Sequence, residues 1–136
     1  MTPRQRIEAE CQRRGKTAVV AGCIDLLGGR EVDTGLVVVL GGAHAPAVLD
    51  GRDEPYWFRV WAARGLLWAW DDAALPSLLD AMRDEAWRVR EMACKVVARN
   101  LVDDALPAVV ALREDPIPRV RAAASRAVER LTVGRT

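Results

Sequence analysis

Short apolar stripes at helical spacing recur along this chain, separated by prolines, glycines and acidic turns. Val89, Met92, Ala93, Val96 and Val97 share one face at about 100° per residue, and Val120, Ala123, Ala124, Ala127 and Val128 repeat it. Leu75, Leu78, Leu79 and Met82 form a second kind of stripe, repeated by Leu106, Val109, Val110 and Leu112. The phrases themselves recur. Trp87-Arg88-Val89-Arg90-Glu91-Met92-Ala93 returns 31 residues later as Pro118-Arg119-Val120-Arg121-Ala122-Ala123-Ala124, and Phe58-Arg59-Val60-Trp61-Ala62-Ala63-Arg64 stands 29 residues before it. Between them lie Ala45-Pro46-Ala47-Val48-Leu49, Leu75-Pro76-Ser77-Leu78-Leu79 and Leu106-Pro107-Ala108-Val109-Val110. A period near 30 residues with two apolar segments per period is a stacked array of helix pairs. No single pair buries both stripes, so neighbouring pairs supply most of the stability.

The start and stop signals predict helices over 3–14, 16–27, 33–40, 44–51, 56–70, 72–83, 86–100, 103–113 and 116–132. Thr2-Pro3 and Asp115-Pro116 open helices, since the residue ahead can cap and proline loses nothing in the first turn. Asp71-Asp72 and Asp103-Asp104 place negative charge at first turns, where the helix dipole favours it. Val37-Val38-Val39 has strand propensity, but aligning Pro46 on Pro76 sets Val37 and Val38 on Leu67 and Trp68 and favours helix. The stretch from Gly51 to Tyr56 reads as a loop one residue longer than its counterparts. The expectation is one all-α domain over 1–136, with degenerate helices in 1–42 and clear repeats in 43–132, making about four pairs.

The segment Asp115-Pro116-Ile117-Pro118-Arg119-Val120-Arg121-Ala122-Ala123-Ala124-Ser125-Arg126-Ala127-Val128 resembles the HEAT repeat, in its short bacterial form called the PBS-lyase HEAT-like repeat. Arg88-Val89-Arg90 and Arg59-Val60 carry the motif less completely, and the chain is similar to small actinobacterial HEAT-repeat proteins of unassigned function. The resemblance implies a right-handed α-α superhelix. It also implies an internal arginine–acid ladder, with Arg88 and Arg119 pairing with Asp84, Glu85, Glu114 or Asp115. It says little about activity, because such arrays serve as scaffolds, adaptors, lyase subunits and nucleic-acid enzymes.

Charge and composition narrow the classes. Half of the residues are apolar, 29% are charged, and the net charge is +1, so no global field steers the chain to nucleic acid or an acidic membrane. The middle is acidic and both ends are basic. Cys11, Cys23 and Cys94 have no paired spacing and suit a reducing cytoplasm. The polar start and the absence of a long apolar run predict no secretory leader and no membrane span.

Three groups of residues are candidates for chemistry or binding. Tryptophans stand at 57, 61, 68, 70 and 87. In the alignment with a 29-residue offset, Trp68 takes a core slot, whereas Trp61, Leu66 and Trp70 take the slots of Arg90, Lys95 and Arg99. These three, with Tyr56 and Trp57, form either a partner or dimer surface or a face covered by the N-terminal helices. Secondly, Arg88, Lys95 and Arg99 share a helix face, and Arg119, Arg126 and Arg130 repeat their spacing. Two such rows form either a phosphate-binding stripe or an ordinary solvated face. Thirdly, His44 is the single histidine, with no Ser or Cys placed to act with it. The sequence contains no phosphate-binding glycine motif and no metal-ligand spacing, so no cofactor is expected. The outward positions of the second helices, Ser77, Asp80, Ala81, Ala108 and Ala111, predict a small, mostly neutral concave face. Val128, Leu131 and Val133 lie at the end of the array with no further repeat to cover them, which adds a homodimer to the expected partners. The overall expectation is a cytoplasmic, non-enzymatic module that binds another protein or peptide, with nucleic-acid binding through the basic rows as the alternative.

Overall fold

A computed structural model describes residues 1–133, and among these every regular element is helical. The α-helices are α1 (Pro3–Arg14), α2 (Lys16–Leu27), α3 (Thr34–Gly41), α4 (Ala45–Leu49), α5 (Tyr56–Gly65), α6 (Leu75–Ala81), α7 (Trp87–Asn100), α8 (Leu106–Leu112) and α9 (Pro118–Thr132). Each short helix α4, α6 and α8 enters through a 3-10 turn (42–44, 72–74 and 103–105), so the α-helices are shorter than the expected spans 44–51, 72–83 and 103–113. The reason is local: Pro46, Pro76 and Pro107 lie in the first turn of each α-helix and lack an amide hydrogen to continue winding.

The long helices α5, α7 and α9 form one layer, with α7 packed between the other two. Helix α6 packs on α7 and α8 on α9, while α2 and α3 close the other side of α5. Thr2 and Gln5 form a reciprocal capping box at α1, and Asp33 caps α3 through the Leu36 amide. The valine run 37–39 is therefore helix, as expected, although Leu67 and Trp68, on which the alignment set Val37 and Val38, lie in the turn after α5.

The period differs from the one read from sequence. Helices α5, α7 and α9 begin at Tyr56, Trp87 and Pro118, a uniform spacing of 31 residues. Arg59 thus corresponds to Arg90 and Arg121, not to Arg88 and Arg119. Ion pairs agree: Arg59 holds Asp84 at 2.7 and 3.1 Å, and Arg90 holds Asp115 at 2.8 and 3.1 Å in the same bidentate way. The two-residue slip arose because Arg59-Val60 copies Arg88-Val89 by chance. The connection between α4 and α5 (50–55) is one residue longer than those between α6 and α7 (82–86) and between α8 and α9 (113–117), as expected.

Helix α5 ends at Gly65 rather than 70. The amides of Leu67 and Trp68 reach back only three residues, to Arg64 and Gly65, and tighten the winding into turns. The carbonyls this leaves at Leu66 and Leu67 accept from the Asn100 amide at 3.0 Å and the Arg99 guanidinium at 2.9 Å. One repeat thereby completes the helix end of the previous one, and Arg130 does the same for the Ala98 carbonyl at 3.3 Å.

The N-terminal helices cover α5. Leu40 and Cys23 pack so closely on Gly65 that a Cβ there would lie 2.9 Å from each, and Trp61 presses on Gly41. Two guanidiniums fasten the contact at the C-terminus of α3: Arg6 donates to Val39 O at 2.8 Å, and Arg64 donates to Leu40 O.

Candidate functional site

With the 31-residue period, Trp61 occupies the slot of Met92 and Ala123, and Leu66 the slot of Val97 and Val128. Both are core positions. Trp61 is 3% exposed and Leu66 is fully buried, so neither belongs to a partner surface; the covering N-terminal helices account for both. Trp70 lies beyond the end of α5, half-buried, with its indole N–H on the Asp72 carboxylate at 3.3 Å. Trp68, expected in the core, is only half-buried and stands in the register of Arg99 and Arg130. Ala81, expected outward, is buried, and so is Leu131 at the end of the array.

Tyr56 and Trp57 remain half-buried at the start of α5, and Trp57 meets Arg88 at the start of α7. The Tyr56 and Trp57 rings are 5.2 Å apart; the Arg88 guanidinium lies 5.4 Å from the Trp57 ring and 4.4 Å from the Trp87 ring. Arg119 follows at 5.0 Å from Trp87. Aromatic and cationic groups thus alternate across three repeats, each guanidinium attracted by the ring quadrupole. Sequence reasoning selected Tyr56 and Trp57 but placed Trp87 in no role; in the correct register Trp87 is simply the next Tyr56.

His44 braces this row from below. Its ring is 5.2 Å from both Trp57 and Trp61, edge-on, and Nε2 lies 2.7 Å from the Asp53 carboxylate. The His44 hydrogen bond, helped by the Glu54 amide, holds the Asp53 carboxyl below the usual range. This His–Asp pair fixes the loop ahead of α5. Among the described residues no cluster of three or more His, Cys, Asp or Glu side chains is placed to hold a metal ion.

The basic rows come together only in part. Among the described residues Arg88 pairs with no carboxylate; it is sandwiched by tryptophans, and its Nε is buried without a hydrogen-bond partner there. Arg119 is bound to Glu91 at 2.9 and 3.1 Å, an ion pair between repeats that the sequence did not point to. The ladder that the resemblance implied exists, but through Arg59–Asp84 and Arg90–Asp115 rather than through Arg88 and Arg119.

The other four cations, Lys95, Arg99, Arg126 and Arg130, line a hollow of about 490 Å³ between α7 and α9, with Ala98 at its floor. A second hollow of about 300 Å³ adjoins it through Lys95 and Arg126 and is floored by Ala98, Ala122 and Ala123. A third, about 350 Å³, continues through Lys95 and Arg119 to Trp57 and Arg88. At the opposite end Arg99 opens onto a hollow of about 530 Å³ shared with Trp68, Trp70, Arg4 and Lys16. Together these make one furrow along α7, which is 14 residues or about 21 Å long. Tryptophans stand at both ends and cations between them. Arg99 and Arg130 spend Nε on carbonyls of the preceding repeat, so their guanidiniums are held in place before any ligand arrives.

No helix among the described residues is long and apolar enough to cross a membrane. No curated protein and no solved structure shows a significant match to this chain. A family model of HEAT repeats matches residues 45–131. That span runs from the start of α4 to the last turn of α9 and contains the 31-residue period and its ladder, and the chain belongs to the HEAT repeat family.

Proposed function

We propose that this chain is a non-enzymatic protein-interaction module that binds a polypeptide partner along the furrow on its long helices. HEAT repeats generally mediate protein–protein contact or scaffolding, and that coarse role frames the reading. The observation that carries it is the alternating row Tyr56–Trp57–Arg88–Trp87–Arg119. Aromatic and arginine side chains held by their neighbours and open to solvent in part are the residue types that anchor protein interfaces. Their rotamers are already set by neighbours, which lowers the entropy lost on binding. The His44–Asp53 pair near the row is committed to the loop, and among the described residues no nucleophile is placed beside it, which supports a binding role over a catalytic one.

Selection from a random peptide display library, made on the folded chain, tests the reading. Enriched peptides are expected to bind the native protein and to lose binding on Trp57→Ala or Trp87→Ala with helicity retained. Absence of enrichment, or binders indifferent to both substitutions, would refute it.

The nucleic-acid alternative has one observation in its favour, the placement of Trp68 and Trp70 beside Arg99 and Lys16, which resembles a stacking platform in a basic groove. A net charge of +1 and the methyl floor of the furrow favour a polypeptide.

A further inference from the structure

We propose that the partner segment is an acidic amphipathic helix lying between α7 and α9. Its carboxylates meet Lys95, Arg99, Arg126 and Arg130, and its apolar side chains rest on Ala98, Ala122 and Ala123. This deepens the protein-binding reading and rests on it.

Charge is the first argument. Arg119 and Arg90 are neutralised by Glu91 and Asp115, but among the described residues Arg126 pairs with no carboxylate, and Lys95 only approaches Glu91 at 3.9 Å. Arg99 and Arg130 are bound through Nε to carbonyls, which carry no full charge to balance them. The furrow therefore keeps an excess of fixed positive charge that complementary carboxylates would relieve.

Spacing is the second argument. Lys95 and Arg99 are four residues apart on α7, and Arg126 and Arg130 are four apart on α9, so each pair is separated by about 6 Å along its axis. Carboxylates four residues apart on a partner helix have the same pitch. Adjacent helix axes lie about 8–10 Å apart, which leaves a groove into which a third helix can pack. Alanine at 98, 122 and 123 keeps that groove shallow enough for the partner's apolar side chains.

The third argument separates a helix from a nucleic acid. Glu91 and Glu129 stand in the same walls. A helix can set carboxylates opposite the four cations and a neutral residue opposite each acid. A phosphate backbone has a charge at every step and cannot.

The test uses the full chain and a library of helix-forming peptides of about sixteen residues, long enough to span α7. Each carries a fixed leucine stripe, with Glu, Gln or Lys varied at the flanking positions. Enrichment of Glu is expected, with at least about tenfold weaker binding to the variant Lys95→Glu/Arg126→Glu and a preference turned toward Lys. Both substituted side chains are exposed, and unchanged helicity shows that the fold survives. Enrichment of Gln or Lys on the unaltered chain would overturn the acidic partner while the protein-binding reading stands. Failure of this library, alongside success of the random one, would overturn the helix in the furrow. A thymidine oligonucleotide that binds more tightly than the best peptide, and is lost in the same variant, would assign the furrow to nucleic acid instead.

Discussion

Gly41→Ala should destabilise the protein, although alanine is the better helix former. Gly41 has φ −91° and ψ −19°, a conformation open to any residue, so no backbone strain opposes the change. On an unobstructed helix, glycine to alanine is worth about 0.5–1 kcal/mol of added stability. Here the new Cβ would stand 2.6, 2.7 and 2.9 Å from three atoms of the Trp61 indole. That ring is rigid, 3% exposed and wedged by His44, Trp57 and Phe58, so it cannot swing aside at low cost. Overpacking of this kind costs about 1–3 kcal/mol, leaving a net loss of up to about 2.5 kcal/mol. Urea denaturation followed at 222 nm measures it. A double-mutant cycle isolates the contact: in the Trp61→Phe background the same substitution should cost at least about 1 kcal/mol less. A Gly41→Ala variant more stable than the parent would refute the packing of α3 on α5, and with it the burial of Trp61 by the N-terminal helices.

Arg90→Met should lower stability by about 3 kcal/mol near neutral pH, because it strands the buried Asp115 carboxylate. Burial pushes the Asp115 carboxyl up, but the Arg90 guanidinium and the Ile117 amide outweigh it and hold it below the ordinary value. A lowered folded value means stability present above about pH 4 and lost as pH falls through the folded value, so the gap between parent and variant should close in acid; a gap constant with pH would contradict this. Leu101→Gly should stabilise by about 0.5–1 kcal/mol in thermal or urea melts, since Leu101 closes α7 at φ 51°, where glycine is favoured, and its side chain is largely exposed. Cys11 should react first with a thiol reagent, because it is only half-buried. Cys23 and Cys94, whose burial raises their thiols to about 12, should react only on global opening, and fast labelling of either in the native state would argue against their packing.

The architecture was legible because stacked repeats write their period into the sequence; the valine run of α3 was read correctly as helix, although its alignment partners Leu67 and Trp68 are turn residues. The site was legible only in part. A two-residue error of register, caused by the chance match of Arg59-Val60 with Arg88-Val89, moved Trp61 and Leu66 from core slots to surface slots. The acidic partners would have corrected it: Arg59 to Asp84 and Arg90 to Asp115 are the same distance in sequence, and each aspartate is the third residue of its loop. The early end of α5 was hidden for a different reason. Leu66, Leu67 and Trp68 are compatible with helix locally, and what completes their turn is Arg99 and Asn100, more than thirty residues away. The role of Arg88 was equally remote from any local pattern, since its cation is matched by two indoles and not by an acid.

The furrow on the long helices is the central claim, and the indole N–H signals of the five tryptophans report on it directly. With the tightest peptide from the random library titrated into ¹⁵N-labelled protein, the Trp57 and Trp87 indole signals should shift together with the amides around Lys95 and Arg126. The Trp61 signal, from a ring 3% exposed, should stay in place. Shifts confined to α6 and α8, with Trp57 and Trp87 unmoved, would place the binding surface on the short helices and contradict the account.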